Sequence, residues 1–181
     1  LTLSRIEHGV EFRELGDQHS IFWASRTLAW TYENLGDHER ARALHEDNLR
    51  QARALRNEQL EAETLGALAN IALDDGRLQD ALLMLKENHP LYRDVGDLGG
   101  AAVNLCRFAR ALVFAGKAAT AARLLSCWET LCEEMGAHVL WVARMNEKTL
   151  TTIHEQLDEA AFAEAWAQGR ALTADEAVAH A

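Results

Sequence analysis

Six glycines, Gly16, Gly36, Gly76, Gly96, Gly116 and Gly136, fall on one spacing of twenty residues, and only Arg56 and Gln156 interrupt it. Most follow an apolar residue (Leu15, Leu35, Val95, Ala115, Met135), and Asp17, Asp37 and Asp97 come directly after three of them. Glycine takes the left-handed conformation beyond a helix C-terminus at little steric cost, and a short oxygen side chain accepts from the orphan N–H groups of the next helix. A lattice of such stops and starts constrains the chain to helices of nearly equal length, each turned back on the one before it.

Shifting the sequence by 40 residues aligns Leu28, Leu68 and Phe108, then Ala29, Ala69 and Ala109, then Ala41, Ala81 and Ala121, with Ala161 continuing the last series. A long fixed period marks stacked supersecondary units. Within a unit the apolar residues recur at three and four, as in Ile21, Ala24, Leu28 and Leu35 or Leu65, Leu68, Ala69 and Ala72, which is one stripe of an amphipathic helix. No segment alternates with period two, and a single proline leaves most of the chain free of an obligatory helix breaker.

The pattern predicts an all-α chain forming a single domain over 1–181. A first helix over about 1–15 lacks its hairpin partner and reads as half a repeat. Hairpins follow at 19–35 with 38–55 (19–55), 59–75 with 78–94 (59–94), 98–115 with 118–135 (98–135) and 138–155 with 158–168 (138–168). A short closing helix over 173–180 begins at Thr173, which with Glu176 fits a capping box. An array of this kind is expected to bury its core pair by pair rather than centrally.

The repeated alanines let helix backbones approach to about 8–10 Å where a larger side chain would hold them apart. Pro90 removes one hydrogen bond and crowds the carbonyl of Lys86, so the helix is expected to kink or break near His89, either as a simple bend or as a hinge. Trp23, Trp128, Trp141 and Trp166 are expected in the core or in inter-repeat packing, with an exposed Trp30 as the informative exception.

The 28 acidic and 18 basic side chains leave a net charge of −10, opposite to the basic footprint of a phosphate-gripping surface, so direct nucleic-acid binding is not expected. No apolar run reaches the roughly 18 residues of a membrane span. Cys106, Cys127 and Cys132 are odd in number and sit among apolar neighbours, which reads as free buried thiols in a reducing cytoplasm. The start at Leu1 reads as a piece of a longer protein. There is no GxxxxGK[ST] loop, no HExxH and no paired Cys/His spacing. His45 beside Glu46 and Asp47 is the densest cluster, and adjacent helical residues point to different faces, so a solvated or interface histidine is expected there rather than a metal ligand. The carboxylate pairs Asp74–Asp75 and Glu133–Glu134 read as solvation. No cofactor, no metal and no catalytic constellation is expected, and the chain reads as non-enzymatic.

The small and large positions Leu28, Ala29, Tyr32, Gly36 and Ala41, repeated at Leu68, Ala69, Ala72, Gly76 and Ala81 and at Phe108, Ala109, Leu112, Gly116 and Ala121, resemble tetratricopeptide repeats. The departures are a 40-residue rather than a 34-residue period, Ser25 where a bulky residue is typical, and Lys148 with Thr149 where a fourth unit should carry a large apolar residue and an alanine. The segment Leu157–Ala181, LDEAAFAEAWAQGRALTADEAVAHA, is similar to the ending of the helical repeat region in large bacterial LuxR-type and cyclase-linked signalling ATPase regulators. The resemblance implies a right-handed α-solenoid of four to five hairpins that recognises a partner inside a transcriptional or signalling regulator, with any ATPase chemistry elsewhere.

In such folds the first helix of each pair lines a concave groove. The resemblance puts ligand-contacting positions at Arg26 and Trp30, Gly66 and Asn70, Cys106 and Arg110, and Asn146 and Leu150. Their mix of guanidinium, amide and indole suits a protein or peptide segment, or a small acidic effector. The same residues could instead face water or a neighbouring domain. An oligomerisation or spacer module, pairing as a homodimer, is the alternative reading.

Overall fold

The computed structural model describes residues 18–136 and 140–181. The expected helix over about 1–15, the lattice position Gly16 and the side chain of Trp141 lie outside the described residues. Nine helices are described: α1 (Gln18–Asn34), α2 (His38–Leu55), α3 (Glu58–Asp74), α4 (Leu78–Asp94), α5 (Leu98–Phe114), α6 (Ala118–Met135), α7 (Leu140–Gln156), α8 (Glu159–Gly169) and α9 (Ala174–Ala179). Among the described residues there is no strand.

Start signals are written in side-chain oxygen. Asp37, Asn57, Asp97, Asp158 and Thr173 each accept from the backbone N–H three residues ahead, at 2.8–3.3 Å. Thr173 and Glu176 complete a reciprocal capping box at α9.

The stops share one backbone geometry. Gly36, Gly76, Gly96, Gly116 and Gly136 all have φ between 61° and 76°, and Arg56 takes the same left-handed conformation at φ 52° and ψ 40°. At five of these turns the N–H just past the left-handed residue donates to the carbonyl five residues back: Asp37 to Tyr32, Asn57 to Ala52, Arg77 to Ala72, Asp97 to Tyr92 and Lys117 to Leu112, at 2.7–3.0 Å. That is the 6→1 bond of a Schellman ending. The backbone lattice therefore continues through Arg56, although a side chain there sits in a region that costs an L-residue about 1–2 kcal/mol. It lapses at Gln156, where α7 passes to α8 through Asp158 in an extended conformation, φ −71° and ψ 166°.

From α1 to α7 successive helices pack side by side, and α3, α5 and α7 also touch one another in that order. Ala41, Ala81 and Ala121 are fully buried at the crossings. One apolar cluster runs from Ala69 of α3 through Leu85, Phe108, Leu124 and Ile153 to Ala177 of α9, with smaller clusters around Phe22 with Leu60 and around Tyr92 with Ala101. Burial is thus continuous from the second hairpin onward rather than confined to pairs, because each stripe touches both its own partner and the next hairpin.

The fourth hairpin is distorted: α8 packs mainly on α6 and only slightly on α7. A Cβ on Gly169 would lie 2.3 Å from the Arg123 carbonyl oxygen, so glycine permits this approach of α8 to the α6 backbone. Ser126 Oγ donates to the Trp166 carbonyl at 2.7 Å, and Cys127 Sγ to the Leu172 carbonyl at 3.3 Å. The end of the chain folds back across α5 and α6, and Asp175 of α9 meets His89 Nε2 of α4 at 2.8 Å.

The structure narrows two open expectations and corrects a third. Helix α4 is continuous through Pro90 to Asp94, which removes the break from the two outcomes expected near His89. Trp23 is 41% exposed, its ring capped by the Arg26 guanidinium at 4.6 Å, whereas Trp128 and Trp166 do pack against the core. Of the two environments expected for His45, solvent or an interface, the structure shows the interface: the ring is buried and its Nε2 lies 2.7 Å from Glu33 Oε1, joining α2 to α1.

Arg56→Gly should raise unfolding stability by about 1 kcal/mol, read as a shift in urea midpoint, because the left-handed backbone is already in place and only the side chain strains it. Ala81→Leu should cost about 1–3 kcal/mol by overpacking a crossing that leaves Ala81 no exposed surface, and a melt like the parent's would contradict that register.

Candidate functional site

The odd-numbered helices α1, α3, α5 and α7 each carry a polar row at spacings of three and four. The rows are Arg26 and Trp30 on α1; Glu63, Gly66, Asn70 and Asp74 on α3; Arg107, Arg110 and Phe114 on α5; and Lys148, Thr152 and Gln156 on α7. Residues three and four apart share a helix face, and the contacts of α3 with α5 and of α5 with α7 set neighbouring rows beside one another.

Charges knit these rows together. Arg26 Nη1 of α1 stands 3.3 Å from Glu63 Oε2 of α3, close enough for an ion pair without hydrogen-bond alignment. Arg110 of α5 donates through Nη2 to Asp74 of α3, and its guanidinium also lies 5.9 Å from the Phe114 ring. An acidic row on α3 is thereby held between arginines from both sides. Such partly exposed pairs contribute little stability each, and their geometric effect is to fix the relative register of the helices.

Gly66 sits at the middle of this face. A Cβ there would come within 2.1 Å of Arg107 Nη1 and 3.1 Å of Asn88 Nδ2, so the missing side chain is the space into which the α5 guanidinium lies. Behind it, Asn88 Nδ2 faces Asn104 Oδ1 at 3.4 Å and Asn104 Nδ2 donates to the Leu85 carbonyl at 3.3 Å. Among the described residues, Asn70 Oδ1 and the Nε and Nη1 of Arg107 are buried with no hydrogen-bond partner, which gives this spot unspent polar capacity.

The structure divides the six groove residues expected from sequence. Trp30 is 63% exposed, and Arg26, Asn70 and Arg110 are half-buried on the shared face. Cys106 and Asn146 are interior: Cys106 has no exposed surface, and Asn146 Nδ2 donates to its Sγ at 3.2 Å, tying α7 to α5. Leu150 packs against the core. The face passes through Arg107 rather than Cys106 and through Lys148 rather than Asn146, a phase visible in the 107, 110, 114 and 148, 152, 156 spacings.

Beyond Arg110 the face opens into a cleft of about 730 Å³ between α5 and α7, lined by Arg110, Val113 and Phe114 on one side and Lys148, Thr149, Thr152 and Gln156 on the other. Burial pushes the Cys106 and Cys132 thiols up and Cys127 to about 11, so none is a thiolate near neutrality. Among the described residues no group of three His, Cys, Asp or Glu side chains could hold a metal ion, and no helix is long and apolar enough to cross a membrane.

The carboxylate pair at the end of α3 is not merely solvated. Asp74 faces α5, while Asp75 faces the other way and takes His38 Nδ1 at 3.0 Å, Arg42 of α2, and Arg77 at 3.5 Å. Glu133 likewise accepts from Arg170 at 2.9 Å. The His38 hydrogen bond, ahead of the Arg42 charge, holds the Asp75 carboxyl below its ordinary value.

Residues 20–94, which comprise most of α1 and all of α2–α4, match the tetratricopeptide repeat family model. Neither the curated proteins nor the solved structures give a match to the chain. The region over 20–94 is therefore tetratricopeptide-like, a repeat type that generally mediates protein–protein interaction and is non-catalytic.

A carboxyl whose folded pKa is depressed contributes stability above its unfolded pKa and loses it as pH falls through the folded value. Asp75→Asn should therefore unfold at lower urea than the parent near neutrality, with the gap closing as pH falls below about 4. A gap of constant size down to the acid limb would show that ionised Asp75 contributes nothing.

Proposed function

We propose that this chain is a non-catalytic interaction scaffold which takes a protein or peptide segment across the face of α1, α3, α5 and α7, within a bacterial transcriptional or signalling regulator. The observation that carries the reading is Trp30, 63% exposed, in line with the part-buried Asn70 and Arg110 of the neighbouring rows. An exposed indole loses little conformational freedom on binding and buries a large area, which is why tryptophan concentrates binding energy at interfaces. Asn70 can hydrogen-bond an extended backbone, and Arg26 and Arg110 can exchange part of their pairing with Glu63 and Asp74 for carboxylates of the partner. The tetratricopeptide-like match over 20–94 supports the class of partner. The regulator setting rests on the likeness of Leu157–Ala181 to the repeat-region ending of LuxR-type and cyclase-linked proteins.

Oligomerisation is the second reading, motivated by the exposed apolar side chains Leu35, Leu55 and Leu98 at the hairpin turns. Light scattering separates the two, since a strict monomer at high concentration sinks it.

Peptides selected on this chain from a random displayed library should lose about tenfold or more in affinity with Trp30→Ala and with Asn70→Ala, an effect of at least about 1.4 kcal/mol each. Leu83→Ala on α4, also exposed, should leave them unchanged. Selected peptides indifferent to both face variants would refute the face assignment.

A further inference from the structure

The cleft between α5 and α7 departs in charge from the rest of the molecule. The chain carries a net charge of −10, yet the described residues lining this cleft include Arg110 and Lys148 and no acidic side chain. Asp74 engages one arm of Arg110, whereas Lys148 is exposed and has no ion-pair partner among the described residues. The cations are thus only partly neutralised, and a concave site with one sign of charge raises the local concentration of the opposite sign.

Its other features define the rest of the ligand. Phe114, the last residue of α5, is 62% exposed at the rim, and Val113 beside it is nearly buried, so one wall is apolar and flat. Thr152 donates its hydroxyl proton to the Lys148 carbonyl at 3.1 Å and so turns only lone pairs toward a ligand, while the Lys148 ammonium, the free arms of Arg110 and the Gln156 amide are donors. The volume of about 730 Å³ lies within the range of pockets that hold small organic ligands.

The geometry points to a binding site for a small organic anion whose flat ring lies against Phe114 and whose charged group is held by Lys148 and Arg110. The site goes beyond the docking of a protein segment and does not depend on it, because it uses the far end of the face and needs neither Trp30 nor Asn70. A carboxylate and a phosphate share the required chemistry, and the relative affinity of two probes tells them apart.

The test uses the whole chain with 2-naphthoate and 2-naphthyl phosphate, beside neutral 2-naphthalenemethanol and ring-free acetate and phosphate, followed by titration calorimetry. At least one naphthyl anion should bind saturably at one site, about tenfold or more tighter than the neutral and ring-free compounds, and the tighter of the two identifies the anionic group. Lys148→Glu and Phe114→Ala should each weaken that binding by about tenfold or more. Both side chains are exposed, so parental melting temperatures establish that the variants are folded. Absence of saturable anion binding, equal binding of the neutral compound, or parental affinity in either folded variant overturns the site. Loss of the peptide-binding face by Trp30→Ala has no bearing on these titrations, so the two proposals fail separately.

Discussion

The arrangement of this molecule depends on one backbone hydrogen bond repeated at five turns, in which an N–H beyond the helix end reaches the carbonyl five residues before it. The bond requires a residue with positive φ just ahead of it, and it reverses the chain in two or three residues. Because the same turn recurs at a constant interval, each helix returns with its apolar stripe at the same height as the last. Without that regularity Ala41, Ala81 and Ala121 would not all fall at crossings, and the continuous cluster from Ala69 to Ala177 would lose its register.

Once the odd-numbered helices are aligned, their polar rows meet, and charge does the rest. Glu63 and Asp74 on α3 are each within reach of an arginine from a different neighbour, Arg26 on one side and Arg110 on the other. His45 with Glu33, His38 with Asp75, and His89 with Asp175 add links within and between hairpins and to the closing helix. The result is a face whose charges are largely satisfied inside the repeats, with unspent capacity at Asn70 and Arg107 near its centre and at Lys148 near its end.

Much of this was legible in the residues. Glycine spacing, alanine repetition and the oxygen caps at Asp37, Asn57, Asp97, Asp158 and Thr173 are local signals, and local signals act over a few residues whatever the rest of the chain does. Arg56 shows how the signal can be missing while the conformation persists: the Schellman bonds and the flanking packing impose it. The site was less legible. Carrying positions over from the resemblance puts Cys106 and Asn146 on the groove, although both are interior and bonded to each other, because the rotation of each helix about its own axis decides which residues face outward, and each residue step turns the side chain by about 100°. Trp23 departs from its expected core environment for a related reason, since burial depends on which helix arrives against that face and not on the residue type alone.

The sequence by itself determined that the described residues are helical and where their caps and glycine turns fall, because capping, glycine conformation and stripe periodicity are properties of short segments. Only the tertiary structure decided that α8 leaves α7 to pack on α6, that Asp74 and Asp75 serve opposite neighbours, and that cations gather at the cleft of α5 and α7. Those outcomes rest on which side chains from distant segments come within a few ångströms, as when Gly169 admits the α6 backbone and Gly66 admits the Arg107 guanidinium. Contact at that range is set by the relative rotation and separation of whole helices, and no single segment encodes it.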